Sequence, residues 1–182
     1  MTTTASSTRN YALDPAHSGV HFSVRHMMIA KVRGAFERLS GTIALPAEGA
    51  IPTAVDVTVD ASSIDTREPQ RDAHLTSPDF LDVQRFPQLT FVSTAIRPID
   101  DETFELRGDL TIHGITRSIT AKATVEGQGT DPWGNARIAY ETQFKISRKD
   151  FGLAWNQTLE TGGVLVGDEI EITLDIEAIP AQ

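Results

Sequence analysis

Side chains that alternate between apolar and polar with a period of two run through most of this chain. The cleanest case is residues 167–178. Ile170, Ile172, Leu174, Ile176 and Ala178 share one side, while Glu169, Glu171, Thr173, Asp175 and Glu177 share the other. A β-strand sends successive side chains to opposite faces, so this run predicts a strand with one dry and one solvated face. The alternation recurs at Val20, Phe22 and Val24, at Val32, Gly34 and Phe36, at Ile43 and Leu45, and at Val55, Val57 and Val59. The second half repeats it through residues 88–96, Phe104 to Ile112, Ile119 to Val125 and Ile138 to Ile146. Such a chain must enclose its dry faces, round either a packed core or a cavity.

Turn signals separate these runs: Pro46 to Pro52, and Asp131-Pro132-Trp133-Gly134-Asn135. Gly34 inside a strand pattern predicts a bulge or a close backbone approach. Met27-Met28-Ile29-Ala30 forms an apolar connector. Residues 61–88 break the β pattern. There Arg71 to Leu75 reads as a short helix, and Ser77 before Pro78 has the form of a second helix start. About eight strands with one helical insert predict an all-β antiparallel sandwich or barrel. The spacing does not separate the two, nor a filled interior from a hollow one. Residues 1–10, rich in Thr and Ser, are expected to be a disordered tail, with residues 11–182 as a single domain.

Composition narrows the chemistry. Asp plus Glu outnumber Lys plus Arg by 25 to 16, a net charge of −9. That balance disfavours nucleic acid and broad attachment to an anionic membrane, while leaving room for a local basic patch. With no cysteine there is no disulfide, thiolate nucleophile or cysteine metal site. His17 and His21 have the i, i+4 spacing that chelates zinc on a helix. On a strand that spacing spans about 13 Å, so no metal site is expected. No GxSxG nucleophile elbow and no strand–loop–helix phosphate motif appears. Arg71, Asp72 and His74 cluster in the insert, where they serve acid–base chemistry or merely solubilise a short helix. The N-terminus lacks an apolar leader segment and no stretch reaches membrane-spanning length, so a cytoplasmic location is expected.

The apolar inventory is the strongest remaining signal, and its residues fall into ordered segments. They are Tyr11-Ala12-Leu13-Asp14-Pro15-Ala16-His17-Ser18, Val20-His21-Phe22-Ser23-Val24-Arg25-His26 and Lys31-Val32-Arg33-Gly34-Ala35-Phe36. Arg71-Asp72-Ala73-His74-Leu75, Ser77-Pro78-Asp79-Phe80-Leu81-Asp82 and Phe86-Pro87 follow. The second half contributes Gly108-Asp109-Leu110-Thr111-Ile112-His113-Gly114-Ile115-Thr116, Trp133-Gly134, Ser147-Arg148-Lys149-Asp150-Phe151-Gly152 and Val166-Gly167-Asp168-Glu169-Ile170. Over about residues 11–178 this ordered set resembles the YceI-like family of polyisoprenoid-binding proteins.

The resemblance implies an eight-stranded antiparallel lipocalin-like barrel with a short helical insert. It implies an interior that carries or sequesters a long isoprenoid lipid, such as a polyprenyl phosphate or quinone, without catalysis or cofactor. It also implies a homodimer, in a family that includes periplasmic members. The dry faces then become a tunnel wall of Val20, Phe22, Val24, Val32, Phe36, Phe91, Leu106, Leu110, Ile138, Tyr140, Phe144, Phe151 and Trp155. Leu75, Phe80 and Leu81 of the insert would plug one end. Met27, Met28 and Ile29 would give an adaptable lining. Arg25, His26, Arg33 and Arg71 are the candidates to meet a charged headgroup. Two rival readings stand beside this one. One is an enzyme on a hydrophobic substrate with His74 or another histidine as base; the other is a stress-associated structural or interaction module with a solid core.

Overall fold

The computed structural model describes residues 7–182. It holds eleven strands and one α-helix. The first six strands are β1 (Arg9–Leu13), β2 (Gly19–His26), β3 (Ala30–Phe36), β4 (Leu39–Leu45), β5 (Ala54–Asp60) and β6 (Ile64–Asp65). Helix α1 (Pro69–Thr76) precedes β7 (Gln88–Pro98), β8 (Thr103–Ile112), β9 (Ile115–Thr130), β10 (Ala136–Ser147) and β11 (Val166–Pro180). Every strand pairing is antiparallel.

Strands β4, β5, β7, β8, β9, β10 and β11 neighbour one another in that order, and β1 joins β11 back to β4. The result is a closed eight-stranded barrel. Closure leaves these eight strands without an open sheet edge of the barrel that would otherwise template aggregation. The first half of β11 pairs instead with β2, which leads on to β3 and β6. Part of the expected tail is structured. Arg9 and Asn10 pair with Leu45 and Ala44, and the Arg9 guanidinium donates to the carbonyls of Pro46 and Gly49. Residues 1–6 of that expected tail lie outside the described residues.

Register places the connections at two ends. The start of β7, the end of β8, the start of β9 and the end of β10 share one end with the β2–β3 turn. The 61–87 insert and the 148–165 segment lie there. The β7–β8 and β9–β10 turns lie at the other. That second end is tied by ions. Arg137 donates to Asp14 at 2.8 Å and to Asp131 at 3.0 Å, and also bonds Glu177. His17 Nδ1 lies 2.8 Å from Asp14. Hydrogen bonds from His17 first and Arg137 second hold the Asp14 carboxyl at about 2, well below the usual carboxylate range. Asp131, bonded by the Asn135 backbone first, is likewise held at about 2. Asp14, His17 and Glu177 lie close enough to suit a cation. The Arg137 guanidinium stands among them and supplies that charge.

The insert forms one helix where the sequence predicts two. Glu68, not Ser77, is an N-cap; its carboxylate accepts from the Arg71 amide at 2.6 Å, with Pro69 opening the first turn. Ser77 instead closes α1, donating its backbone N–H and its hydroxyl to His74 O. The chain after Pro78 makes only turns, because Asp82 takes a left-handed φ of 49° that no continuing helix accommodates.

A lipophilic cavity inside the barrel

Inward-facing apolar side chains in a solid core lose nearly all contact with a solvent-sized sphere. In this barrel many keep it. Phe22, Leu89, Phe91, Ile119, Phe144, Ile170, Ile172 and Leu174 are only partly buried although they point to the interior. The space they leave is a cavity of about 210 Å³. Its wall is formed by β2, β5, β7, β8, β9, β10 and β11, and the period-two pattern decides which residues reach it. Ile170, Ile172, Leu174 and Ile176 of the most regular run all do.

The floor is made by Leu13, Ile43, Phe104 and Tyr140. The Phe104 and Tyr140 rings meet edge-on at 6.2 Å, and the Tyr140 hydroxyl donates to Ala50 O at 2.7 Å. Burial pushes the Tyr140 hydroxyl pKa up, so the floor stays uncharged. The insert closes the other end with Leu75, Phe80 and Leu81. Phe80 packs on Trp155 at 5.3 Å, and His74 stands edge-on to both rings while bonding Asp79 at 2.8 Å. This aromatic cluster fixes the lid to the 152–165 segment.

Polar residues at the wall are few: Thr90, Glu141, Thr142 and Arg148. Thr142 donates to Lys122 O. Glu141 is exposed. Arg148, only 2% exposed, donates to the carbonyls of Leu153, Trp155, Val166 and Gly167. A cation at the wall is thus consumed by backbone acceptors that would otherwise be buried without partners. Two glycines make room for wall aromatics. A methyl group on Gly34 would stand 2.5 Å from the Phe22 ring, and one on Gly108 would collide with Phe91. Gly34 therefore serves close approach, one of the two roles its place in a strand implied.

Most of the expected tunnel residues meet here: Val20, Phe22, Val24, Phe36, Leu75, Phe80, Phe91, Leu106, Leu110, Tyr140 and Phe144. Four do not. Ile138 and Phe151, at 3% and 1% exposure, are packed core, since they lie beyond the strand stretches that border the cavity. Trp155 braces the lid from behind, and Val32 sits half-buried on β3 outside the lining. The headgroup candidates also lie elsewhere. Arg25 and Arg33 alternate with inward Val24 and Gly34 and so face out. Arg71 donates to the hydroxyl and carbonyl of Thr66, and His26 sits at the base of the β2–β3 turn. Met27, Met28 and Ile29 are exposed at 42%, 62% and 79% instead of lining the interior. Arg148, Ile119, Ala121, Ala123 and the β5 valines also line the wall, beyond the residues the sequence singles out. For the alanines and valines the alternation itself carried the signal; for Arg148 the sequence carried none.

A YceI-like domain model matches residues 11–178. The chain belongs to the YceI-like family. It is 34% identical to Protein YceI of Salmonella newport over 181 residues, covering 98% of this chain and 91% of that one. Among solved structures it is similar to Burkholderia cenocepacia BcnA, at 25% identity and a TM-score of 0.78, covering 91% and 98% of the two chains. The Campylobacter jejuni YceI protein is 29% identical with a TM-score of 0.75, covering 87% and 90%. A polyisoprenoid-binding domain from Saccharophagus degradans, 14% identical over 94% and 98% of the chains, shares the fold at a TM-score of 0.72. Among the described residues no helix is long and apolar enough to cross a membrane.

Proposed function

We propose that this protein is a non-enzymatic carrier or sequestering protein for a long isoprenoid chain. The observation that carries the reading is the cavity inside the barrel, walled almost entirely by Phe, Leu, Ile and Val. Each methylene moved from water into such a space contributes about 0.8 kcal/mol, so a guest of several prenyl units binds by burial alone. The membership in the YceI-like family supports the reading, as does the use of the same fold by a polyisoprenoid-binding domain. Arg25, Arg33 and Arg71 face away from the cavity, so a charged headgroup would stay in water at a barrel end.

Native mass spectrometry of the purified protein, followed by mass analysis of its solvent extract, tests the proposal. One long prenyl compound per chain is expected. The midpoint of thermal unfolding should rise when a polyprenyl alcohol or quinone is added, because the ligand binds only the folded state. A protein that carries nothing and shows no such rise would overturn the reading. The enzymatic alternative with His74 as base finds little support, since His74 lies outside the cavity lining, held by Asp79, Phe80 and Trp155.

A further inference from the structure

The β2–β3 turn contradicts its own local chemistry. Met27 and Met28 both take positive φ, 52° and 62°, with Ile29 N–H donating to His26 O. Hairpin turns that need two left-handed residues normally use Asn and Gly, since a longer side chain there is strained. Here two methionines occupy those positions, Ile29 follows them, and all three side chains are exposed to solvent. Scattered exposed hydrophobics need no explanation, but three in a row on a strained turn do. Met28 abuts Gly163, whose neighbour Val164 is also exposed, so the apolar tip extends across two segments.

The charge carried by the hairpin itself is equally unusual, with Glu171 of β11, paired with Ser23 in the row of Arg33, as the neighbouring acid on the adjacent strand. No Asp or Glu lies between Asp14 and Glu37, in a chain with 25 of them. Arg25 pairs across the hairpin with Lys31, and Arg33 sits one step along on the same outer face. All three are exposed, and none makes an ion pair among the described residues. An apolar tip that rises from a cationic collar matches a bilayer interface with anionic headgroups: the apolar side chains enter the acyl boundary and the cations meet phosphate. The net charge of −9 repels such a surface elsewhere, so approach through this hairpin is selected.

We infer that the Arg25–Arg33 hairpin docks the barrel peripherally on an anionic phospholipid bilayer, with Met27, Met28 and Ile29 as the inserted tip. The docking rests on the hairpin alone. The hairpin shares its end of the barrel with the Leu75–Phe80 lid, so a docked barrel turns that end toward the lipid. Its use in transferring a guest rests on the function proposed above.

Vesicle flotation with the full chain tests this. The wild type is expected to float with phosphatidylcholine vesicles containing phosphatidylglycerol, not with phosphatidylcholine alone, and to be released by high salt. Lys31→Glu with Arg33→Glu should weaken binding by at least about tenfold. Ile29→Glu should abolish it. Met27→Asn with Met28→Gly should also abolish it while leaving the thermal midpoint equal or higher, which separates docking from folding. A wild type that stays at the bottom of the gradient, or variants that float as it does, would overturn the inference. So would a wild-type dimer that Ile29→Glu dissociates without any vesicle binding, which would make the tip a contact between copies. Native mass spectrometry of the same variants keeps the two proposals apart. A bound prenyl chain without flotation refutes docking only, and flotation without a prenyl chain refutes the carrier reading only.

Discussion

Ala121 shows how much rests on single side chains. It is buried on β9 beside the cavity, opposite Leu106. If the proposed carrier function holds, Ala121→Phe should fill part of the cavity and remove prenyl binding while costing about 1–3 kcal/mol of stability. Parallel denaturation and native mass spectrometry check both effects. Arg148 is the opposite case, a residue whose loss should be felt in the fold. Arg148→Met removes the donors that satisfy four carbonyls at the junction of the 148–155 and 166–167 segments. Urea unfolding should show a loss of about 3 kcal/mol or more, since buried acceptors are left unpaired. The two residues differ in legibility for a physical reason. Ala121 follows from alternation along a strand. Arg148 looks like any surface arginine, and its burial depends on a loop that folds back over it.

Strands were more legible than the elements between them. The runs at 20–24, 55–59, 104–112, 138–146 and 170–178 all become strands with the expected dry side inward, because a period of two leaves one solution. At the insert local signals compete, and the structure departs from the sequence expectation. Ser77-Pro78 has the residues of a helix start, yet Ser77 closes the helix that Glu68 begins. The β2–β3 connector was expected to line the interior, but its strained turn projects Met27, Met28 and Ile29 outward. Trp155 was expected in the tunnel and instead joins His74 and Phe80 in bracing the lid. Trp155→Ala should therefore loosen the lid and leave the lining intact. Release of a bound quinone, followed by stopped-flow fluorescence, should speed up, with about 2 kcal/mol or less lost in global stability.

The closed barrel joins a floor held by ions to a lid held by aromatic rings, and acid should distinguish the two. Asp14 and Asp131 titrate at about 2 in the folded protein but near the ordinary value of about 4 when unfolded. Between those values the unfolded chain binds more protons, so stability rises with pH across that window. The contribution is complete above about pH 5 and disappears as pH falls toward 2. Unfolding followed from pH 6 to 2 should show this loss, and Arg137→Gln should shrink it, because Arg137 bonds both carboxylates. Barrel closure and a hollow interior could not be read from spacing alone, since both depend on how β11 splits its pairing between β1 and β2. The proposed carrier function rests on the hollow interior. A crystal structure of the protein incubated with a polyprenyl alcohol would locate the guest. Continuous elongated density between the Phe104–Tyr140 floor and the Leu75–Phe80 lid is the expected result. Side chains collapsed into that space, or a prenyl chain bound only on the outer surface, would contradict it.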